Sequence, residues 1–285
     1  MLTEKKPMQR KPDWLKVKLP NTAEFKHVKG ILKAHKLHSV CQEAACPNIT
    51  ECFHSGTATF LILGDICTRN CQYCNIQHQE PLPVNQNEPQ ELAQAVKELD
   101  LKYVVITSVT RDDLKDGGAG IFAECVEQIR RIKPKAKIEL LIPDLQANWP
   151  ALQAILASQP DVLNHNMEVV KRLFPSIRPQ GDYATSLELL ARVSQTSIIS
   201  KSGFMVGVGE QWPEIMELLD DLRSVGCQRL TIGQYLQPSR EHWPLERYYT
   251  PKEFDQLKTI AAEKGFTFVE SGPLVRSSYH AAQAT

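Results

Sequence analysis

The chain has 285 residues, of which 42% are hydrophobic and 23% charged. This is the make-up of a folded globular protein with a sizeable core, not of a disordered chain. Lys+Arg and Asp+Glu are 33 each, a balance that argues against a general nucleic-acid binder, and no apolar run reaches the roughly 20 residues of a membrane span.

Residues 1–39 carry ten basic residues against three acidic ones. They hold no apolar stretch of the kind a secretory signal needs, so a cytoplasmic protein is expected. The segment reads either as a solvated basic arm or as a docking strip for an acidic protein partner. Residues 1–56 show no β-α repeat and read as an N-terminal extension.

From residue 57 onward, β-rich runs alternate with amphipathic helical stretches. TATFLILGD (57–65) is followed by EPQELAQAVKELD (88–100), where Leu92, Ala95, Val96 and Leu99 fall on one helical face. YVVITSV (103–109) precedes the helical GIFAECVEQIRRIK (120–133), and KIELLIPD (137–144) and DVLNHN (161–166) follow. YATSLELLARV (183–193) reads as helix, SGFMVGVG (202–209) as strand and PEIMELLDDLRSV (213–225) as helix. RLTIGQYL (229–236), the helix PKEFDQLKTIAAEKG (251–265) and FTFVESG (266–272) complete the series. The Thr250-Pro251 pair is a helix start and Gly265 a helix stop. Repeated β-α units imply a parallel sheet with right-handed crossovers. Six such units predict an α/β fold, a partial TIM-type (βα)6 barrel over 57–272, with a tail over 273–285. In barrels the chemistry gathers at the carboxyl ends of the strands.

The eight cysteines are Cys41, Cys46, Cys52, Cys67, Cys71, Cys74, Cys125 and Cys227. Six of them lie within 34 residues, as the triplets Cys41-x4-Cys46-x5-Cys52 and Cys67-x3-Cys71-x2-Cys74. In a cytosolic chain such clusters read as metal ligands rather than disulfides. Zinc sites present paired knuckles totalling four ligands. Three thiolates on a short loop suit three corners of a cubane iron–sulfur cluster and leave one iron open to something other than protein. Two zinc sites, or one zinc site with stray cysteines, is the competing reading. Cys125 and Cys227 read as inert packing residues.

Cys67-Thr-Arg-Asn-Cys71-Gln-Tyr73-Cys74 resembles the CxxxCxΦC loop of the radical S-adenosylmethionine (SAM) enzymes, with Tyr73 as the aromatic Φ. The blocks GDICTRNC, ITSVTRDDLKDGGAG, IGQYLQPSREHWPLERYYTP and SGPLVRSSYHA resemble the lipoyl synthase family from about Lys11 to Ala281. The resemblance implies a barrel of the radical SAM type. It implies an enzyme, a sulfurtransferase that inserts two sulfur atoms at carbons 6 and 8 of a protein-bound octanoyl-lysine to form the lipoyl cofactor. It also implies two [4Fe–4S] clusters and two SAM molecules consumed per lipoyl group. Cys67, Cys71 and Cys74 would carry the cluster that cleaves SAM to a 5′-deoxyadenosyl radical, and Cys41, Cys46 and Cys52 the auxiliary cluster that donates sulfur. The family's serine ligand to that auxiliary cluster is placed at Ser278 rather than Ser277, in the Arg276-Ser277-Ser278-Tyr279 segment.

For the SAM pocket the resemblance implies Tyr73, Thr107, Ser108, Asn164, Met205 and Gly207. The last two stand in a segment, Gly203 to Glu210, that resembles the superfamily's GxIxGxxE strand. His165 reads as a pocket residue at a strand end. Arg178 and Lys201 could meet a carboxylate, and Arg276 could orient the tail. The implied partners are octanoylated lipoyl-carrier domains (2-oxoacid dehydrogenase E2 and glycine-cleavage H protein), a ferredoxin or flavodoxin electron donor, and an iron–sulfur carrier protein. His27, His35, His38, His54, His78, His242 and His280 show no ligand spacing and read as surface or packing groups.

Overall fold

The computed structural model describes residues 9–16, 23–39, 48 and 57–284. The auxiliary triplet Cys41, Cys46 and Cys52 lies outside the described residues. In chain order the elements begin with helix α1 (Ala23–Ala34) and strands β1 (His38–Ser39) and β2 (Thr57–Ile62). The short β3 (Ile66–Cys67) and β4 (Gln77–His78) follow, then α2 (Glu88–Glu98), β5 (Tyr103–Ser108), α3 (Ala119–Ile132) and β6 (Lys137–Leu141). Next come α4 (Trp149–Ala157), β7 (Val162–Asn164), α5 (Phe174–Ile177), α6 (Tyr183–Ser194) and β8 (Ile199–Val206). The last are α7 (Trp212–Ser224), β9 (Arg229–Gln234), α8 (Pro251–Glu263) and β10 (Phe268–Gly272).

The sheet runs β1-β2-β5-β6-β7-β8-β9-β10. All of it is parallel except β1, which pairs antiparallel with β2 at one edge. Seven consecutive parallel strands with helices between them form the expected partial barrel. Each strand alternates between two environments. Val104 and Ile106 of β5 and Ile138 and Leu140 of β6 join the apolar layer beneath α2, α3 and α4. Phe204 and Val206 of β8 and Leu230 and Ile232 of β9 join a second apolar layer with α7 and α8. The inward side is different. It presents Thr59, Thr107, Glu139, Asn164, Lys201, Thr231 and Glu270, one strand step out of phase with those apolar residues.

That polar face is occupied in part by the chain's own tail. Thr59 Oγ1 donates to Ser278 Oγ at 2.8 Å, His280 Nδ1 lies 3.4 Å from Glu270 Oε1, and Ala281 packs on Tyr103 and Val105. The close approach needs glycine. A Cβ on Gly233 would stand 2.3 Å from the Val275 carbonyl oxygen.

Helix ends follow their sequence signals. Thr250 and Glu253 form a capping box at α8, and Asp182 caps α6 by accepting from Thr185 N. Helix α4 was not foreseen, because WPALQAILA is apolar nearly all round and shows no period. Strand β8 begins at Ile199, earlier than the expected 202. Lys201 sits inside it because its ammonium is buried against Glu139 at 2.8 Å.

Gly233→Ala should push the tail off the inner face and cost about 1–3 kcal/mol, read as a lowered midpoint of thermal unfolding. An unchanged midpoint would mean that the tail contributes nothing to the fold.

Candidate active site

The loop that carries Cys67, Cys71 and Cys74 leaves the carboxyl end of β2. The β3–β4 ladder closes its base, pairing Ile66 with Gln77 and Cys67 with His78. Thr68 N and Thr68 Oγ1 both donate to the Thr110 carbonyl at 3.0 Å, and Asp112 N donates back to Thr68 Oγ1 at 3.0 Å. Gln72 N donates to Ile177 O at 2.9 Å, and Trp243 N donates to Gln72 O at 2.8 Å.

The strongest tie is Arg69, which is 5% exposed. Its guanidinium meets Asp112 at 2.6 and 2.9 Å and Asp144 at 2.7 and 2.6 Å. Both contacts are two-point forks, the geometry that arginine suits and lysine does not. Burial works to raise the Asp144 carboxyl, but the hydrogen bond and charge of Arg69 overcome it and hold the group down at about 2.

The three cysteine side chains are all half-buried. Cys67 Sγ accepts backbone N–H groups from Arg69 at 3.4 Å and Thr110 at 3.3 Å. Burial pushes the Cys71 thiol up to about 11 and the Cys74 thiol up to about 12. A cation at the loop would favour the thiolates and release protons as it bound. Among the described residues no group of three or more His, Cys, Asp or Glu is arranged to hold a metal ion. Soft thiols with backbone N–H donors suit a cubane, in which each sulfur takes its own iron.

Behind the loop, at the carboxyl ends of the strands, is a cavity of about 570 Å³. Its wall includes Cys71, Tyr73, Cys74, Thr107, Ser108, His165, Asn166, Glu168, Arg178, Met205, Gln234 and Ser277. Three buried atoms on this wall have no hydrogen-bond partner: Ser108 Oγ, His165 Nε2 and Asn166 Oδ1. The His165 Nδ1–H donates to Ile142 O at 2.8 Å. Burial first, and the Arg178 charge second, lower the imidazole to about 4. His165 is therefore neutral at ordinary pH, with Nε2 as an acceptor. SAM, with its ammonium and ribose hydroxyls, is rich in the donors such a wall needs.

The structure brings together Cys67, Cys71 and Cys74 on one loop, with Tyr73, Thr107, Ser108 and Met205 on the cavity wall. Two expected pocket residues stand elsewhere. Asn164 is fully buried below the cavity, where its amide donates to Glu139 Oε1 at 3.2 Å. Gly207 has φ 101° and packs under Gln234 and the Arg247 carbonyl, so it serves the backbone and not the wall. Lys201 is paired with Glu139, not with the cavity, whereas Arg178 lies on the wall and donates to Asn166 O at 2.9 Å. Ser277 lines the cavity, and Ser278 faces Thr59.

His242 is no plain surface group. Its Nε2 lies 3.0 Å from the Cys74 carbonyl oxygen and its Nδ1 lies 2.8 Å from Ser239 Oγ, so it braces the loop. Sequence reading also passed over Arg69, Asp144 and Glu168. An arginine between two cluster cysteines was the available signal for the first.

Comparison with known proteins identifies the class first. The family model described as the radical SAM superfamily matches residues 61–222, and the solved structures similar to this chain share the fold. Streptococcus suis SuiB bound to its precursor peptide SuiA has a TM-score of 0.58 at 13% identity, over 87% of this chain and 52% of that one. Methylornithine synthase (PylB) gives 0.57 at 11% identity, over 87% and 77%. The fold and cysteine loop are thus those of a radical SAM enzyme.

A second model, the N-terminal domain of lipoyl synthase, matches residues 1–46. Lipoyl synthase of Pseudoalteromonas atlantica is 52% identical over 285 residues, covering 99% of this chain and 89% of the relative. That of Chloroflexus aurantiacus is 52% identical over 274 residues, covering 95% and 90%. The chain belongs to the lipoyl synthase family. It is an enzyme that uses SAM and two [4Fe–4S] clusters to insert sulfur into an octanoyl chain on a lipoyl-carrier protein. Among the described residues no helix is long and apolar enough to cross a membrane.

The Arg69–Asp144 contact predicts a pH dependence. The Asp144 carboxyl is depressed from about 3.8 to about 2 in the folded state. Its contribution is therefore whole above about pH 4 and is lost as the pH falls toward 2, amounting to about 2 kcal/mol. Denaturant unfolding between pH 6 and 3 should show a shallower acid loss in Asp144→Asn than in the wild type. Parallel curves would remove Asp144 as a source of acid sensitivity.

Proposed function

We propose that Cys67, Cys71 and Cys74 hold the cluster that binds SAM, and that Cys41, Cys46 and Cys52 with Ser278 hold the cluster that donates sulfur. The observation that carries the second assignment is a hydrogen bond from Asn48 Nδ2 to Leu274 O at 2.5 Å. Asn48 stands two residues after Cys46 and four before Cys52, and Leu274 stands four residues before Ser278. Asn48, between Cys46 and Cys52 in sequence, and Leu274, just ahead of Ser278, are therefore joined across 226 residues. Residues 1–56 act as the extension that carries the first triplet, 57–272 as the barrel and 273–285 as the tail.

When bound, SAM and its cluster supply the one-electron chemistry that removes hydrogen from an unactivated carbon, which no side-chain base can do. The chain's own residues bind and orient. Ser108 Oγ and His165 Nε2 accept the donors of SAM, and Arg178 meets its carboxylate. Leu61, Leu141 and Met205 give the wall its apolar part, suited to an acyl chain. Gly203 and Gly233 keep the inner face open, since a side chain at either would strike its neighbours. Lys11 lines the cavity beside Gln9, whose amide donates to Glu246 O at 2.9 Å. This basic arm would face the carrier protein that presents the octanoyl-lysine. The octanoylated E2 domains and H protein serve as carriers, a ferredoxin or flavodoxin supplies electrons, an iron–sulfur carrier protein rebuilds the spent cluster, and the setting is the cytoplasm.

The division of labour is tested on anaerobically reconstituted protein with SAM, a strong reductant and an octanoyl-lysine peptide. Cys67→Ala should abolish formation of 5′-deoxyadenosine. Cys46→Ala and Ser278→Ala should keep SAM cleavage and lose sulfur insertion, read as the mass of the peptide. Equal loss of SAM cleavage in all three would overturn the assignment.

A further inference from the structure

Three side chains form a hydrogen-bonded bridge along one wall of the cavity, and a fourth faces its inner end. Tyr73, between Cys71 and Cys74 in the loop, lines the same wall near the Glu168 carboxylate. Asn166 Nδ2 donates to Glu168 Oε1 at 2.9 Å and to Ser277 Oγ at 2.7 Å. The amide has two hydrogens and meets two acceptors here. The carboxylate sets this orientation, since a flipped amide would turn its oxygen against Glu168. Asn166 is 7% exposed, and its Oδ1 lies where a Cβ on Gly203 would come within 3.0 Å of it.

Glu168 is held in the left-handed region at φ 68°, a conformation a glutamate adopts only when its surroundings impose it. Those surroundings are β8: Glu168 N donates to Gly203 O at 3.0 Å, and Met205 N donates to Glu168 O at 2.8 Å. The bridge is thus fixed to the barrel wall at Glu168, beside the cysteine loop, with its other end on the tail. Ser277 lies 111 residues from Asn166 in sequence, so this contact fixes the tail where local chain geometry does not.

We propose that Asn166 and Glu168 are positioning residues that lock the C-terminal tail to the barrel wall at β8, beside the cysteine loop. The lock ends on Ser277, the neighbour of the residue assigned to the auxiliary cluster. It holds the tail whether or not Ser278 is a ligand, so the two assignments fail separately.

The test is hydrogen–deuterium exchange of tail peptides covering 275–284 in the reconstituted enzyme, with the ratio of 5′-deoxyadenosine to lipoyl group as a second readout. Ser277→Ala and Asn166→Leu each remove the link to the tail. Each should speed exchange of the tail by about 3- to 10-fold, the range expected for one partly buried hydrogen bond. Exchange in α3 should stay as in the wild type. Asn166→Leu combined with Ser277→Ala should be no faster than the faster single variant, because both cut the same link. Ser277→Thr keeps the hydroxyl and should behave as the wild type. The ratio should rise at least twofold in Ser277→Ala and stay unchanged in Ser277→Thr. If Asn166→Leu does not fold, the Ala and Thr variants of Ser277 still decide. Wild-type tail exchange in Ser277→Ala, or additive effects in the double variant, would overturn the proposal. Sulfur insertion surviving in Ser278→Ala would remove the ligand assignment alone.

Discussion

The site depends on one buried cation. Arg69 sits between Cys67 and Cys71 and grips two carboxylates, Asp112 and Asp144, with two edges of its guanidinium. One arginine thereby fastens the cysteine loop to the loops that follow β5 and β6. Two carboxylates with one guanidinium leave a formal negative charge in a region with little water. The Cys67 thiol, on the same loop, accepts two backbone N–H groups. A loop that must carry three thiolates is in this way held by charge-assisted hydrogen bonds, while its donors remain free to face the ligand.

The barrel differs from a filled TIM barrel in what lies inside. Its outer strand faces are apolar and supply both large hydrophobic layers. Its inner faces are polar and are occupied in part by the tail. The Lys201–Glu139 pair, with Tyr103 donating to Glu139 at 2.7 Å and Asn164 at 3.2 Å, forms the floor beneath the cavity. Such a network is satisfied only when all its members are present, and it fixes the inner strands more through geometry than through net stability. Above that floor, Gly203 and Gly233 remove the side chains that would otherwise block the tail and Asn166.

Much of this was legible in the sequence. All seven parallel strands lie within or overlap the β-rich runs, because β-branched and apolar runs alternate with helices of clear period. The CxxxCxΦC spacing marked the loop, and Thr107, Ser108 and His165 could be assigned to strand ends. What could not be read were contacts between distant segments. Asp144 becomes a site residue only because Arg69 reaches it across 75 positions. His242 looked like a surface histidine because its partner, the Cys74 carbonyl, lies 168 residues away. Asn164 and Asn166 flank His165 alike in sequence, yet Asn164 turns down to Glu139 while Asn166 meets the tail. The strand's alternation ends just there, at Asn164, so period alone does not assign the second asparagine.

The tail's path has a consequence for how the enzyme is made. Thr59 meets Ser278 across 219 residues, and Asn48 meets Leu274 across 226. Closing contacts of such span is entropically the slowest part of folding. Helices and neighbouring strands can form as the chain is synthesised, but the inner face stays open until the tail segment has left the ribosome. There is thus an interval in which the barrel is folded and its interior is still reachable. That interval ends when the tail is laid in, which makes cofactor loading a matter of timing as well as affinity.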